Sequence, residues 1–355
     1  MHVAQLLNQH ITCHMLRMMN NQLKLIPQNE PEIDIGALKE GLTNLKGKKV
    51  LFRSDYNKES LALQPTEVQL ASIPYEVRNF SNETRERNVI GIDSSCVLIG
   101  ETDDGSIFAG RVATVRACSA KVVTYQRAGP FIFYLNQKMV ANEISDGLAR
   151  RTMDAVQGDN AIAERFIRIR LERAAQMKAA RANPDSVILV DGSIRASMLE
   201  SRSFSLKRLE REAEENFVQL LGITKTSSVK MISRVASALS ASKRPSSYVD
   251  LTESLRVFGV TTSAKILVAR FAQSSQVFRV DAAFTNAEHE SQVLADVKFN
   301  DVMYRGYPET LRLAHHLSVF DSATVASIRS YLSKKYSLVQ IPSDDLRATI
   351  LGKFV

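Results

Sequence analysis

Two hydrophobic strands in this chain each deliver one aspartate. Val89–Gly100 (VIGIDSSCVLIG) is a β-branched and apolar run with Asp93 in its middle. Ser186–Asp191 (SVILVD) runs straight into Asp191 and then Gly192-Ser193. A carboxylate in a buried strand is costly unless it is paired or holds a cation. One such acid reads equally well as a turn cap; two suggest a shared carboxylate centre. Carboxylates suit Mg2+ or Mn2+, and a pair of such ions about 3.5–4 Å apart activates water and relieves charge building on a phosphate. The chemistry within reach is therefore metal-assisted phosphodiester hydrolysis.

The flanking pattern says how the acids are positioned. Val89–Ile99 predicts a strand, Thr102–Gly105 (TDDG) a hairpin turn, and Ser106–Ala117 the returning strand. Lys121–Tyr125 and Phe131–Leu135 predict further strand, broken at Gly129-Pro130. The period then changes: Ala161–Ala182 predicts an amphipathic helix, stopped by Asn183-Pro184. Ser186–Asp191 predicts a strand buried on both faces, as parallel neighbours are. Three antiparallel strands, a helix and a parallel strand make an α/β fold whose opening resembles the ribonuclease H-like fold. That fold carries acids on its first strand, first helix and fourth strand. The helix here offers Glu164 and Glu172, eight residues apart and so near one face. Glu172, nearer in sequence to Asp191, is favoured, with Glu164 the alternative. Downstream, Ser203–Phe217 predicts a helix, Phe217–Thr224 a strand leading to Lys225, and Ser228–Leu239 a helix. Pro245–Thr262 predicts a polar loop with a short helix, Lys265–Phe271 and Gln276–Ala283 a strand pair, and Ala287–Val297 a helix.

Composition bounds the function. The chain has 355 residues, 45% hydrophobic and 24% charged, ordinary values for a soluble domain. A net charge of +8 suits a polyanionic partner without requiring one. The run Arg150, Arg151, Arg165, Arg168, Arg170, Arg173, Lys178 and Arg181 reads as a phosphate-binding face or a solvated one. Three cysteines exclude a disulfide framework. No apolar run is long enough for a membrane span, and the N-terminus lacks a signal-peptide pattern, so a cytoplasmic location is expected. His10, Cys13 and His14 fall short of the four ligands a structural zinc site needs. Residues 1–47 predict an amphipathic helix, broken at Pro27–Pro31, that packs on the body or on a second subunit. Residues 1–88 are thus assigned to an N-terminal helical extension or small module, and 89–355 to the domain that carries the acids.

Tyr304–Phe320 (YRGYPETLRLAHHLSVF) is the most specific stretch. Together with Gly91–Ser95 (GIDSS) and Leu189–Ser193 (LVDGS), it resembles the NurA nucleases, partners of the hexameric HerA translocase. The resemblance runs from about Val89 to the C-terminus. It implies a ribonuclease H-like mixed sheet with flanking helices, and a metal-dependent deoxyribonuclease. Asp93, Glu172, Asp191, Tyr307 and His315 match the family's functional positions. Asp93, Glu172, Asp191 and His315 are then the metal ligands, and Tyr307 orients substrate or water. His315 tilts the preference toward Mn2+ over Mg2+, because imidazole suits Mn2+ better; two ions are expected. A helix starting at Tyr307 brings His315 round to within roughly 80° of it. Lys225, Arg168 and Arg305 are candidate DNA contacts. The family implies 5′–3′ exonuclease action on single- and double-stranded DNA, single-strand endonuclease action, a homodimer, and DNA end resection in double-strand break repair with a HerA-type ATPase. His316 departs from the acid expected beside His315. Two other classes compete: an actin-like sugar kinase, whose glycine-rich phosphate turns are missing here, and a catalytically silent ribonuclease H-like clamp on DNA.

Overall fold

Long strands with apolar residues on both faces build one mixed sheet. The computed structural model describes residues 42–52, 75–225, 230–242, 244–257, 264–273, 275–283 and 289–341. The helix expected over residues 1–47 lies outside them, except for a 3-10 turn at Leu42–Leu45. The early strands are β1 (Lys49–Leu51), β2 (Arg78–Asn79), β3 (Val89–Glu101), β4 (Gly105–Cys118) and β5 (Lys121–Asn136). Three helices follow, α1 (Gln137–Ser145), α2 (Arg150–Gly158) and α3 (Asn160–Ala182), then β6 (Val187–Asp191), α4 (Leu206–Glu215) and β7 (Gln219–Thr224). Next are α5 (Lys230–Ala241), β8 (Ser247–Asp250), α6 (Thr252–Val257), β9 (Lys265–Arg270), β10 (Val277–Ala283) and α7 (Glu290–Asn300). The chain closes with β11 (Met303–Tyr304), β12 (Tyr307–Pro308), α8 (Glu309–Ser318), α9 (Ser322–Tyr336) and β13 (Val339–Ile341).

The α/β order expected from the sequence is present: three antiparallel strands, a helix, then β6 parallel to β3. Along the sheet the strands run β13, β1, β3, β6, β7, β10, β9, β8, β2, with β4 and β5 on the other edge of β3. Segments 49–51 and 78–79, assigned above to the N-terminal extension, each supply a strand to this sheet. The sheet is covered on both sides. Ile90, Ile92 and Leu98 of β3 pack with Phe166, Ile167 and Leu171 of α3. Val89 of β3, Leu189 of β6 and Leu221 of β7 pack on the opposite side with α7 and with Leu311 of α8. Successive strand residues face opposite ways, so Asp93 points to the α8 side and Ser94 to the α3 side.

Three local expectations are corrected. β5 is continuous through Gly129-Pro130. The register skips between Gly110 and Val112, so the pair sits as a bulge on an edge strand, where proline's missing N–H breaks no ladder. The segment expected as a loop over 245–262 contains β8, whose Tyr248 and Val249 are buried. The helix expected from Tyr307 starts at Glu309 instead, because Tyr307-Pro308 pairs with Met303-Tyr304 in a two-stranded ribbon.

A notch in the sheet matters most for the site. β3 pairs with β6 only from Val89 through Ile92, and with β1 only at Glu101. Between them this edge of β3 has no strand partner among the described residues. The acids gather there.

Candidate metal centre

Asp93 sits at the start of the notch, with only 3% of its surface exposed. Its Oδ2 lies 2.8 Å from His315 Nδ1 and 3.4 Å from the Ser318 hydroxyl, which donates to it. Both partners come from α8. That helix can approach because residue 91 is glycine: a Cβ there would lie 2.5 Å from the Thr310 carbonyl carbon and 2.6 Å from the Leu311 nitrogen. Asp301 fixes the first turn of α8, accepting from the Thr310 hydroxyl at 2.5 Å and from the Thr310 amide.

Asp191 ends β6 next to Asp93. Its Oδ1 accepts from the Tyr307 hydroxyl at 3.2 Å and its Oδ2 from Lys225 Nζ at 2.9 Å. Lys225 also stands 4.9 Å from the centre of the Tyr307 ring. Ligand atoms from Asp93, Asp191 and His315 all lie within 4.8 Å of one another. His315 is half exposed and Asp191 partly so, which leaves the cluster open to solvent.

Glu172 arrives from the other face of the sheet. Its Oε1 accepts from the Ser94 hydroxyl at 2.7 Å. Arg168, one turn earlier on α3, lies 3.5 Å from Glu172 and 3.9 Å from Asp93. The Arg168 side chain therefore bridges the two faces through the notch. Glu164, the alternative helix acid, lies further along the notch and accepts the Leu98 backbone N–H at 3.2 Å. It caps the open strand edge, while Glu172 sits beside Asp93.

The electrostatics follow from this packing. Burial raises the Asp93 carboxyl, but the His315 hydrogen bond and the Arg168 charge outweigh it and hold it below its ordinary value. Burial dominates at Glu172 and pushes its carboxyl up despite Arg168 and Ser94. Glu164 is raised to about 7, again by burial. Burial and the neighbouring Asp191 push the Tyr307 phenol up, so it stays a hydrogen-bond donor at neutral pH. Burial and the nearby Arg312 and His315 lower His316.

Of the residues singled out in the sequence, Asp93, Asp191, Tyr307 and His315 come together directly. Glu172 joins through Ser94 and Arg168. Lys225 contacts Asp191. Arg305 does not join: it occupies the left-handed turn between β11 and β12, its guanidinium lies over Tyr304, and among the described residues it reaches none of the site's carboxylates. His316 lies edge-on to His315, with ring centres 6.0 Å apart. Sequence reasoning missed Ser94 and Ser318. Ser94 was findable, as the residue after a strand acid faces the opposite side.

The NurA domain model matches residues 87–320. The chain belongs to the NurA domain family. The matched span contains every residue of the cluster. No curated protein matches the sequence. Among solved structures, the chain is similar to the NurA nuclease from Sulfolobus solfataricus, with 13% identity over 73% of this chain and 87% of that one (TM-score 0.47). It is also similar to NurA with manganese, at 10% identity over 70% and 90% of the two chains (TM-score 0.39). NurA bound to dAMP and manganese shows 10% identity over 69% and 88% (TM-score 0.35).

The donor set of this NurA-domain chain fits a hard or borderline divalent ion. Two carboxylates and one imidazole converge, open on one side, without a thiolate; Mn2+ accepts this mixture better than Mg2+. Among the described residues, no helix is long and apolar enough to cross a membrane.

Proposed function

We propose that this chain is a divalent-metal-dependent deoxyribonuclease. The observation that carries the reading is the convergence of Asp93, Asp191 and His315 at an open notch, with Tyr307 and Lys225 beside them. Asp93, Asp191 and His315 would hold the metal, with Glu172 completing the acid set from the α3 side. A divalent ion held there would supply positive charge to the scissile phosphate and lower the pKa of a bound water, so that hydroxide is available at neutral pH.

The protein's own groups do the rest. Tyr307 donates toward Asp191 and can turn the same hydroxyl to a phosphate oxygen or a water. Lys225 and Arg168 offer cationic donors on either side of the notch, where a phosphodiester backbone must pass. Ser318 and Ser94 orient the carboxylates of Asp93 and Glu172, so that neither acid turns away.

Membership of the NurA family supports the finer reading: 5′–3′ exonuclease action on single- and double-stranded DNA with single-strand endonuclease action, Mn2+ rather than Mg2+, and two ions. The same support extends to a homodimer that works with a HerA-type hexameric ATPase in resecting DNA ends.

The test uses single-stranded oligonucleotides labelled at the 5′ or the 3′ end, incubated with Mn2+, Mg2+ or EDTA. Parent protein is compared with Asp93→Ala and Asp191→Ala. Cleavage in Mn2+, lost in EDTA and in both variants, is the expected result, and the two labels report polarity. Metal binding is followed separately by thermal shift. At a Mn2+ concentration 100-fold above Kd the folded state gains about 2.7 kcal/mol, and Asp191→Ala removes the gain. Metal binding without cleavage, alone or with a HerA-type ATPase present, sinks the enzyme reading and leaves a DNA clamp.

A further inference from the structure

The end of the sheet away from the carboxylates holds a second cavity of about 690 Å3. That volume falls in the range typical of small-molecule sites. Its walls are the lead-in to β3, the β4–β5 turn, the segment at Arg244–Ser246 and the C-terminal end of α7. Asp93 is four residues up β3 from Val89, about 13 Å, and the cavity lies beyond Val89. The two sites share no side chain.

The lining has a definite chemistry. Arg244 and Lys298 both reach it, and no carboxylate is among its lining residues. Arg244 donates to the Val77 carbonyl and Lys298 to the Ser246 hydroxyl at 2.8 Å. Neither cation meets a carboxylate among the described residues, so both positive charges are available to a ligand. Phe80 forms an apolar floor, backed edge-on by Phe271 at 5.4 Å. Phe299 stands on the wall, 45% exposed, an unusual position for a phenylalanine. A helix C-terminus would ordinarily repel an anion, but carbonyls at this one are occupied. The Asn300 carbonyl accepts from Ala120 N–H and that of Val297 from Asp301 N–H.

Buried polar groups hold these walls in place. Arg270 is 1% exposed and donates to the carbonyls of Ser240, Ser242 and Arg244, fixing the segment that presents Arg244. Fully buried Asn300 accepts the amides of Arg87 and Ser119 and donates to the Arg85 carbonyl, tying the β4–β5 turn to the β3 lead-in. The cavity is thus formed before any ligand arrives, which lowers the ordering cost of binding.

We propose that this cavity is a second nucleotide-binding site, independent of the metal centre. It takes a nucleoside phosphate, with the phosphate on Arg244 and Lys298 and the base against Phe299. A free nucleotide and the end of a nucleic-acid strand both present that chemistry.

The experiment is calorimetric binding to the full chain in EDTA, with dAMP and with a 5′-phosphorylated oligothymidylate as probes. The variants are Arg244→Glu with Lys298→Glu, Phe299→Ala, and Lys225→Glu. The double charge reversal should weaken binding at least about tenfold. Phe299→Ala should weaken it roughly five- to a hundredfold, the range for losing one stacked base. Lys225→Glu, which acts on strand binding at the metal centre, should leave dAMP binding unchanged. Tighter binding of dAMP assigns a free nucleotide, and tighter binding of the oligonucleotide assigns a strand end. Binding of dAMP that survives the double reversal and Phe299→Ala, or that disappears with Lys225→Glu, overturns the proposal. Absence of binding by both probes at millimolar concentration does the same. No metal is present, so the nuclease reading can fail while this site stands, and the reverse.

Discussion

Replacing Gly91 with alanine should disable the centre without touching any of its functional groups. A Cβ at residue 91 would stand 2.5 Å from the Thr310 carbonyl carbon, 2.6 Å from the Leu311 nitrogen and 2.7 Å from the Thr310 oxygen. All three are backbone atoms, so no side chain can swing aside. Ordinary contact begins at 3.4 Å, so α8 must retreat by about 0.9 Å. The His315–Asp93 hydrogen bond is 2.8 Å long, and a rigid retreat of that size takes it past hydrogen-bond range. Overpacking of this kind costs about 1–3 kcal/mol, or a Tm lower by roughly 1–4 °C for a chain of this size. A ligand displaced by about 1 Å costs on the order of 100-fold in rate. The assay pairs thermal unfolding with Mn2+-dependent oligonucleotide cleavage and Mn2+ binding. Parent-like cleavage and Mn2+ affinity in Gly91→Ala would refute the reasoning, because α8 would then not be what brings His315 to Asp93.

Two further outcomes are expected. Glu172→Gln should lower cleavage by about 10–100-fold, as for an acid that supports a metal cluster. Glu164→Gln should stay within a few-fold, since its amide oxygen still accepts the Leu98 N–H; equal losses in the two variants would undo the assignment of Glu172. Stability should also carry a pH signature from Asp301, which burial raises from 3.8 to about 7 against the pull of its Thr310 and Val302 donors. The folded state then holds the proton more tightly than the unfolded state. The contribution is fully present below about pH 3.8 and is lost as pH rises through about 7, by roughly a few kcal/mol. Urea titrations of parent and Asp301→Asn should diverge across that window, and parallel curves would show that Asp301 titrates normally.

Much of the centre was legible in the sequence because burial makes strand acids conspicuous. Asp93 and Asp191 interrupt runs that otherwise read as core, and the structure sets them side by side. Tyr307 and His315 were found through the Gly-Tyr-Pro and Leu-Ala-His pattern, not through periodicity. The expected helical phase between them does not apply, since α8 begins only at Glu309. Glu164 and Glu172 could not be separated by spacing, because eight residues return a helix to nearly the same face. What separates them is where each meets β3: Glu164 opposite Leu98, Glu172 opposite Ser94. That is a tertiary fact with no local signal. β8 escaped for a different reason, being four residues long and stabilised by its neighbours in the sheet. Arg305, a candidate DNA contact, sits in the left-handed turn between β11 and β12 with its guanidinium over Tyr304, a placement with no signal in the local sequence.

The centre draws acids from both faces of one sheet, and a complete sheet would forbid this. Asp93 and Asp191 point to the α8 side, while Glu172 belongs to α3 on the other. They can cooperate only where the sheet is interrupted. The interruption exists because β6 stops at Asp191. Gly192 follows with φ at 117°, a conformation only glycine adopts without strain, and its N–H bonds to the Ile223 carbonyl. The chain then leaves the plane of the sheet. Gly222 on β7 makes room for that exit, since a Cβ there would lie 2.4 Å from the Gly192 carbonyl oxygen. Asp281 on β10 secures the departing strand by accepting the Ile194 N–H at 3.2 Å while Arg279 neutralises it. Arg168 then has a path from α3 to Asp93. The Asp-Gly-Ser sequence at the end of β6 therefore does two jobs: it presents an acid, and it opens the gap through which Arg168 joins Glu172 to Asp93.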